Sequence, residues 1–170
     1  VDEIFAEQFI NGPEFTIFLV GSVQRPDEIR VYPPVERVFH SQLLEHERFL
    51  SFDRYWEIYE EETPLSPDEP FYRYCLAPEA LAGPLKELSR RAYLAVGGTG
   101  YARVDVRMDR NSGNLYVLEV NPNCDISDGA GLARAAAAVG IAYDQLIEEV
   151  AYSARQRFAE SQPISTKKSA

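Results

Sequence analysis

Asp105, Glu119 and Asn121 stand where strand residues are usually apolar, and all three carry hard oxygen donors. They fall within Tyr101 to Ser127, YARVDVRMDRNSGNLYVLEVNPNCDIS, which reads as two β-strands joined by the turn-rich segment Asp109 to Asn114. Side chains alternate across a strand. Ala102, Val104 and Val106 therefore face one way, and Arg103, Asp105 and Arg107 the other. On the second strand Val117, Glu119 and Asn121 share a face, with Leu118 and Val120 opposite. Pairing as a hairpin brings Asp105, Glu119 and Asn121 to one side of the sheet. Two carboxylates and a carboxamide suit Mg²⁺, which takes a few protein oxygens and completes its octahedron with water and phosphates. The same spacing also fits the solvated face of an antiparallel sheet, with Arg103 and Arg107 neutralising the acids. Spacing alone leaves both open.

A second block, Glu7-Gln8-Phe9-Ile10-Asn11-Gly12-Pro13-Glu14-Phe15-Thr16, precedes the hairpin. With Y-A-R-V-D and then E-V-N across a short turn, it resembles the ATP-grasp superfamily and, within it, the D-alanine:D-alanine ligase family. The resemblance covers roughly residues 4 to 158 and is poor over 41 to 76. It implies an α+β fold, the ATP-grasp C-terminal subdomain, with an antiparallel sheet and helices packed on one face. It also implies an ATP-dependent carboxylate–amine ligase working through an acyl phosphate, with ATP and two Mg²⁺ ions, or Mn²⁺, as cofactors. By resemblance Asp105 binds one ion, Glu119 bridges two and Asn121 completes the second. Glu7 accepts from the adenine amino group, Phe9 and Ile10 offer main-chain hydrogen bonds to the ring, Glu14 holds the ribose and Leu118 closes the adenine slot. Arg103 resembles the arginine that stabilises charge on the attacked carbonyl; a structural ion pair with Asp105 or Glu119 is the alternative, and both stay open here.

The chain also departs from the family pattern. The loop after E-V-N reads Pro122-Asn123-Cys124-Asp125-Ile126-Ser127-Asp128 and lacks the family's Pro-Gly, which precedes the hydroxyl residue that orients the acceptor amino acid. The local match to the family's phosphate-binding lysine, Tyr55-Trp56-Glu57-Ile58-Tyr59, carries Ile58 instead. A noncatalytic nucleotide- and metal-binding module is the alternative function that Ile58 favours. Residues 1 to 160 are expected to form the C-terminal part of an ATP-grasp domain whose substrate domain and lid precede residue 1, and 161 to 170 a polar tail.

The net charge of −10 argues against nonspecific nucleic-acid binding. Lysine occurs only at 86, 167 and 168, so a phosphate clamp within this chain must use arginine or backbone amides. Two cysteines, Cys75 and Cys124, suit a reducing cytoplasm rather than a disulfide framework. Cys124 has acidic neighbours and no histidine, a poor setting for a reactive thiolate. No apolar run is long enough to span a membrane. The expected partners are ATP and a small carboxylate and amine, with homodimerisation of the intact protein left open.

These residues need a scaffold. Strands are expected over 4 to 10, Phe15 to Val20, Ile29 to Tyr32 and Val35 to Phe39, as an antiparallel meander. The segment 41 to 78 reads as irregular, and His40 and His46 as non-ligands. Leu81, Leu85, Leu88, Ala92 and Val96 mark an amphipathic helix from Pro78 to Val96. A short alanine-rich helix is expected over Gly131 to Val139. A last helix follows, N-capped by Asp144, with Leu146, Ile147, Val150, Ala151, Ala154 and Phe158 as its apolar stripe.

Overall fold

In the computed structural model, residues 6–50, 65–66 and 68–161 are described. The nearly continuous burial of Glu14 to Ser22 on both faces marks it as the central strand, β1 (Glu14–Ser22), which pairs along both of its edges. One edge of β1 pairs with β2 (Arg30–Val31) and β3 (Val35–Phe39), and β3 pairs onward with β4 (Tyr72–Leu76). The other edge pairs along its whole length with β5 (Thr99–Met108), which continues to β6 (Leu115–Asn121). All pairings are antiparallel, in the order β4-β3-β1-β5-β6. The chain is not a simple meander: from β4 it crosses through helix α1 (Glu79–Ala95) to the far side of β1.

Two elements differ from expectation. Residues 6 to 10 form no strand, and 4 to 5 lie outside the described residues. β4 lies within the segment expected to be irregular. Its sequence Tyr-Arg-Tyr-Cys-Leu lacks apolar alternation, and an edge strand needs only one satisfied side. Tyr72 and Tyr74 are held instead by stacked cations, with Arg134 at 4.6 Å from the Tyr72 ring centroid and Arg37 at 5.6 Å from that of Tyr74.

The α+β architecture has helices on both faces of the sheet rather than one. On the first face Phe15, Ile17 and Leu19 of β1 and Ala102, Val104 and Val106 of β5 pack against Leu85 and Tyr93 of α1. The buried stripe of α1 is Leu85, Ser89 and Tyr93, with Leu81, Leu88 and Ala92 flanking it, whereas Val96 is 63% exposed. Tyr93 is buried in this cluster, and its hydroxyl is satisfied by donating to the Gly21 carbonyl at 3.0 Å. On the second face Phe18, Val20 and Tyr32 pack under helices α2 (Gly131–Ala138) and α3 (Tyr143–Ser161), through Leu132, Ala133, Ala136 and Leu146. Asp144 lies in the first turn of α3 rather than at its cap. The inward side of α3 runs through Leu146, Val150 and Ser153, while Ala151, Ala154 and Phe158 of the expected stripe are exposed. Because α2 and α3 cover only part of the second face, the rest remains open toward β5 and β6.

Candidate functional site

The open part of the second face carries charge in rows that cross the strands. In one row Glu14 of β1 lies between its register partners Arg37 of β3 and Arg107 of β5. In the next, Thr16 faces Asp105 of β5, which faces Glu119 of β6. In the third, Phe18 faces Arg103, which faces Asn121. Three guanidiniums therefore balance three carboxylates, although the chain as a whole is strongly acidic.

The pairings follow that register. Glu14 accepts from Arg37 Nη1 through one oxygen and from Arg107 Nε, at 3.0 Å, through the other. Asp105 accepts from the Thr16 hydroxyl at 2.8 Å and lies 3.9 Å from Arg37 Nη2. Arg103 donates to both oxygens of Asp105, and its Nη2 reaches Asp105 at 2.8 Å and Glu119 at 2.6 Å. The solvated-face alternative holds for Glu119, which is exposed, and fails for Asp105 and Arg107, which are buried together with Glu14 and Arg37. Burial of this kind requires each charge to be matched, because an unpaired one is strongly disfavoured. Burial works against the charge of Arg103, yet Asp105 beside it outweighs that and holds its pKa above the ordinary guanidinium value. The same holds for Arg37 through Glu14.

A cavity of about 460 Å³ opens beside these rows. Its lining includes Glu7, Phe9, Ile10, Glu14, Leu118, Arg103, Asp105 and Glu119, so the two sequence blocks meet at one opening. Asn121 is not among the lining residues. It stands across from Arg103, and its side-chain oxygen accepts the Asn123 amide at 3.0 Å. The coil that carries Glu7 to Ile10 is docked on the hairpin through Arg110 N–H to Asn11 O, at 2.9 Å, and Met108 N–H to Pro13 O, at 3.0 Å. Only glycine fits between these bonds, since a Cβ on Gly12 would overlap the Met108 carbonyl.

Leu118 reaches the cavity for a reason that strict alternation does not contain. Asp105 pairs with Glu119, but Val106 pairs with Val117, so β6 carries a bulge at Leu118. The extra residue turns Leu118 toward the same cavity as Glu119 and moves Val117 opposite the core residue Val106. Leu118 and Glu119, expected on opposite faces, thus line one wall.

The donor chemistry suits Mg²⁺. A single Arg103 nitrogen touches Asp105 and Glu119. The two carboxylates therefore already share one cation, and the two contact lengths end to end bound their separation. Among the described residues no group of three or more His, Cys, Asp or Glu converges. Two carboxylates and an amide oxygen are too few for a closed protein cage, and such a set fits an ion that takes its other ligands from phosphates and water.

The loop after β6 holds Cys124 buried, and burial pushes its thiol up to about 11, the state of an inert thiol. The Ser127 hydroxyl and amide donate to Asp125, which lowers that carboxyl below its usual range. Sequence reasoning missed Arg37, Phe49 and Leu50 as cavity residues and treated Arg107 only as a neutralising charge. For Arg37 a signal existed: Val35-Glu36-Arg37 alternates, and a basic residue on a strand facing Glu14 invites pairing. Nothing local marks Phe49 or Leu50. Ile58 and its neighbours, and Lys167 and Lys168, lie outside the described residues.

Solved structures share this arrangement of strands and helices. A D-alanine–D-alanine ligase from Bacillus anthracis, solved in complex with ATP, superposes with a TM-score of 0.62 at 20% identity, covering 92% of this chain and 42% of its own. The D-alanine–D-alanine ligase from Coxiella burnetii gives 0.62 at 17% identity over 92% of this chain and 35% of its own. The fold is that of the C-terminal part of the ATP-grasp ligases. At the level of sequence, residues 1–151 match the family described as D-ala D-ala ligase C-terminus, and the chain belongs to that family. D-alanine–D-alanine ligase B of Chromobacterium violaceum is 31% identical over 150 residues, 86% of this chain and 41% of that protein. The D-alanine–D-alanine ligase of Stutzerimonas stutzeri is 32% identical over 145 residues, 85% and 39% respectively. The chain thus spans about two-fifths of the length of these relatives. No helix among the described residues is long and apolar enough to cross a membrane.

Proposed function

We propose that this chain is the ATP- and Mg²⁺-binding part of an ATP-dependent carboxylate–amine ligase that works through an acyl phosphate. One observation carries the reading. A single cavity is lined at once by Glu7, Phe9, Ile10 and Leu118 and by Asp105, Glu119 and Arg103. Its apolar lining, Phe9, Phe49 and Leu118, suits a flat heterocycle, and its charged part suits phosphate held through cations. Glu7 accepts the adenine amino group and the main chain at Phe9 and Ile10 meets the ring edge. Glu14, though paired with two arginines, keeps further lone pairs for ribose hydroxyls. Asp105, Glu119 and Asn121 would hold two Mg²⁺ ions, which would supply the positive charge that phosphoryl transfer calls for. Arg103 stands beside them as the donor for negative charge that develops on the carboxylate carbon's oxygens during attack.

The acid and amine substrates are small molecules. The loop from Pro122 to Asp128, which lacks Pro-Gly, is where acceptor selectivity departs from the relatives. Calorimetric titration with ATP and Mg²⁺ tests the reading. Binding by this chain alone is expected to be weaker than about 1 µM, and Glu119→Gln is expected to weaken it at least tenfold. No binding at roughly millimolar ATP, or binding indifferent to Glu119→Gln, overturns the proposal.

A further inference from the structure

We propose that one flank of helix α3 is a self-docking surface, on which a second copy of this chain packs antiparallel with the twofold axis passing between Val150 and Ala151. The helix carries two apolar stripes. Leu146, Val150 and Ser153 face the sheet. Tyr143, Ile147, Ala151, Ala154 and Phe158 recur at intervals of three or four and form the other. At 3.6 residues per turn the second stripe lies about a quarter turn round the helix from the first. It is open to solvent: Tyr143 is 38% exposed, Ala151 and Ala154 are exposed, and Ile147 is half-buried.

This stripe reads alike from either end, which is the condition for a twofold contact. Ile147 and Ala154 lie equally far from the point between Val150 and Ala151, and so do Tyr143 and Phe158. In an antiparallel pair about that point each Ile147 meets the partner's Ala154, a large residue against a small one. Ala151 stands at the axis, where its lack of bulk lets the two backbones approach to about 8 Å. The charges beside the stripe agree with the same axis, although they played no part in locating it. Asp144, Glu148 and Arg155 are all exposed and lie along its outer edge. Carried through the axis, Arg155 falls level with the partner's Leu146, halfway between the partner's Asp144 and the partner's Glu148. Each guanidinium thus enters a gap between two carboxylates, and the arrangement occurs twice in the pair. A parallel pair would instead set Arg155 against the partner's Arg155. This matters because the chain carries a net charge of −10, so two copies repel at long range and associate only where local charges are complementary.

One helix pair buries less than the roughly 1,200 Å² of a stable interface, so the dimer is weak, with a dissociation constant on the order of 100 µM. Sedimentation equilibrium of the 170-residue chain between about 10 µM and 1 mM is expected to show the mass rising toward twice the 19.2 kDa of one chain. Arg155→Glu is expected to weaken association at least about tenfold, and Glu148→Arg combined with Arg155→Glu to restore it to within about threefold, since the pair changes sign together. These side chains are exposed, so the variants keep the fold. The register is read by oxidative cross-linking in a Cys75→Ser background, Cys124 being buried. Ala151→Cys is expected to form a disulfide between copies. Ala154→Cys is not, because the two thiols stand roughly 10 Å apart along the helix axis, against the ~4 Å between Cβ atoms that a disulfide spans. A chain that stays at 19.2 kDa up to about 1 mM overturns the proposal, and so does association indifferent to Arg155→Glu. Cross-linking at 154 as ready as at 151 overturns the register.

Discussion

Substituting Arg103 with glutamine removes a cation from the place proposed for a metal ion. Its Nε lies 3.1 and 3.0 Å from the two oxygens of Asp105, and its Nη2 lies 2.8 Å from Asp105 and 2.6 Å from Glu119. Hydrogen bonds involving charged groups contribute about 1.5–3 kcal/mol. The side chain of Glu119 is 48% exposed, so water screens that arm and it contributes at most about 1 kcal/mol. Asp105, at 6% exposed, supplies most of the hold, about 2 kcal/mol. On the proposed metal-binding reading an ion must displace this guanidinium, so Arg103→Gln should tighten Mn²⁺ binding to the nucleotide-free chain by roughly ten- to thirtyfold. Thr16 and Arg37 remain on Asp105, which keeps the carboxylate in place. In the intact protein the same substitution should lower ligation by about 10²-fold, the scale of one lost oxyanion donor. Metal affinity and turnover thus move in opposite directions. Titration of Mn²⁺ followed by paramagnetic resonance reads the first, and steady-state product formation the second. Mn²⁺ affinity that is unchanged or weaker refutes Arg103 as the resident competitor. Wild-type ligation reduces it to an ion-pair partner.

Other consequences follow from the buried groups. Arg37→Met leaves Glu14 with one cation instead of two and should destabilise the chain by about 3–5 kcal/mol in urea unfolding; a loss under about 1 kcal/mol would mean that Arg107 alone satisfies Glu14. The ribose role proposed for Glu14 is best probed with Glu14→Gln, which should weaken ATP binding severalfold while keeping the shape of the arginine pairing; unchanged affinity removes Glu14 from the ribose contact. Cys124, pushed up to about 11 by burial from an ordinary 9.0, is neutral in the fold at pH values where the unfolded chain ionises. Its contribution is fully present below about pH 9 and lost as pH rises through 11, on the order of 2 kcal/mol, so Cys124→Ala should show a shallower fall in stability over that window. Tyr93→Phe removes the hydrogen bond to the Gly21 carbonyl and should cost about 1 kcal/mol, measured as a shift in the unfolding midpoint.

The local rules were legible in the sequence where one strand decides the outcome by itself. The pleat alternates side chains every second residue, so Ala102, Val104 and Val106 share one face and Arg103, Asp105 and Arg107 the other without reference to any neighbour, and the structure places the first set in the core. The turn from Asp109 to Asn114 is equally local, closed by Gly113 N–H to Asp109 O at 2.8 Å, and α1 follows from its own periodicity. What lies across from each strand was not legible, because register is a contact between segments far apart in the chain. Glu14 faces Arg37 and Arg107 only because β3 and β5 flank β1, an order created by the crossing of α1. The bulge that turns Leu118 into the cavity exists only as a mismatch between β5 and β6, so no property of β6 alone contains it. The side of the sheet that each helix covers was likewise decided by tertiary packing, since the apolar residues of β1 point both ways, Phe15, Ile17 and Leu19 against Phe18 and Val20. Sequence determined which residues carry charge and on which face of their own strand. The tertiary structure decided which opposite charges meet, because burying a charge is tolerable only beside its partner, and that partner comes from another strand.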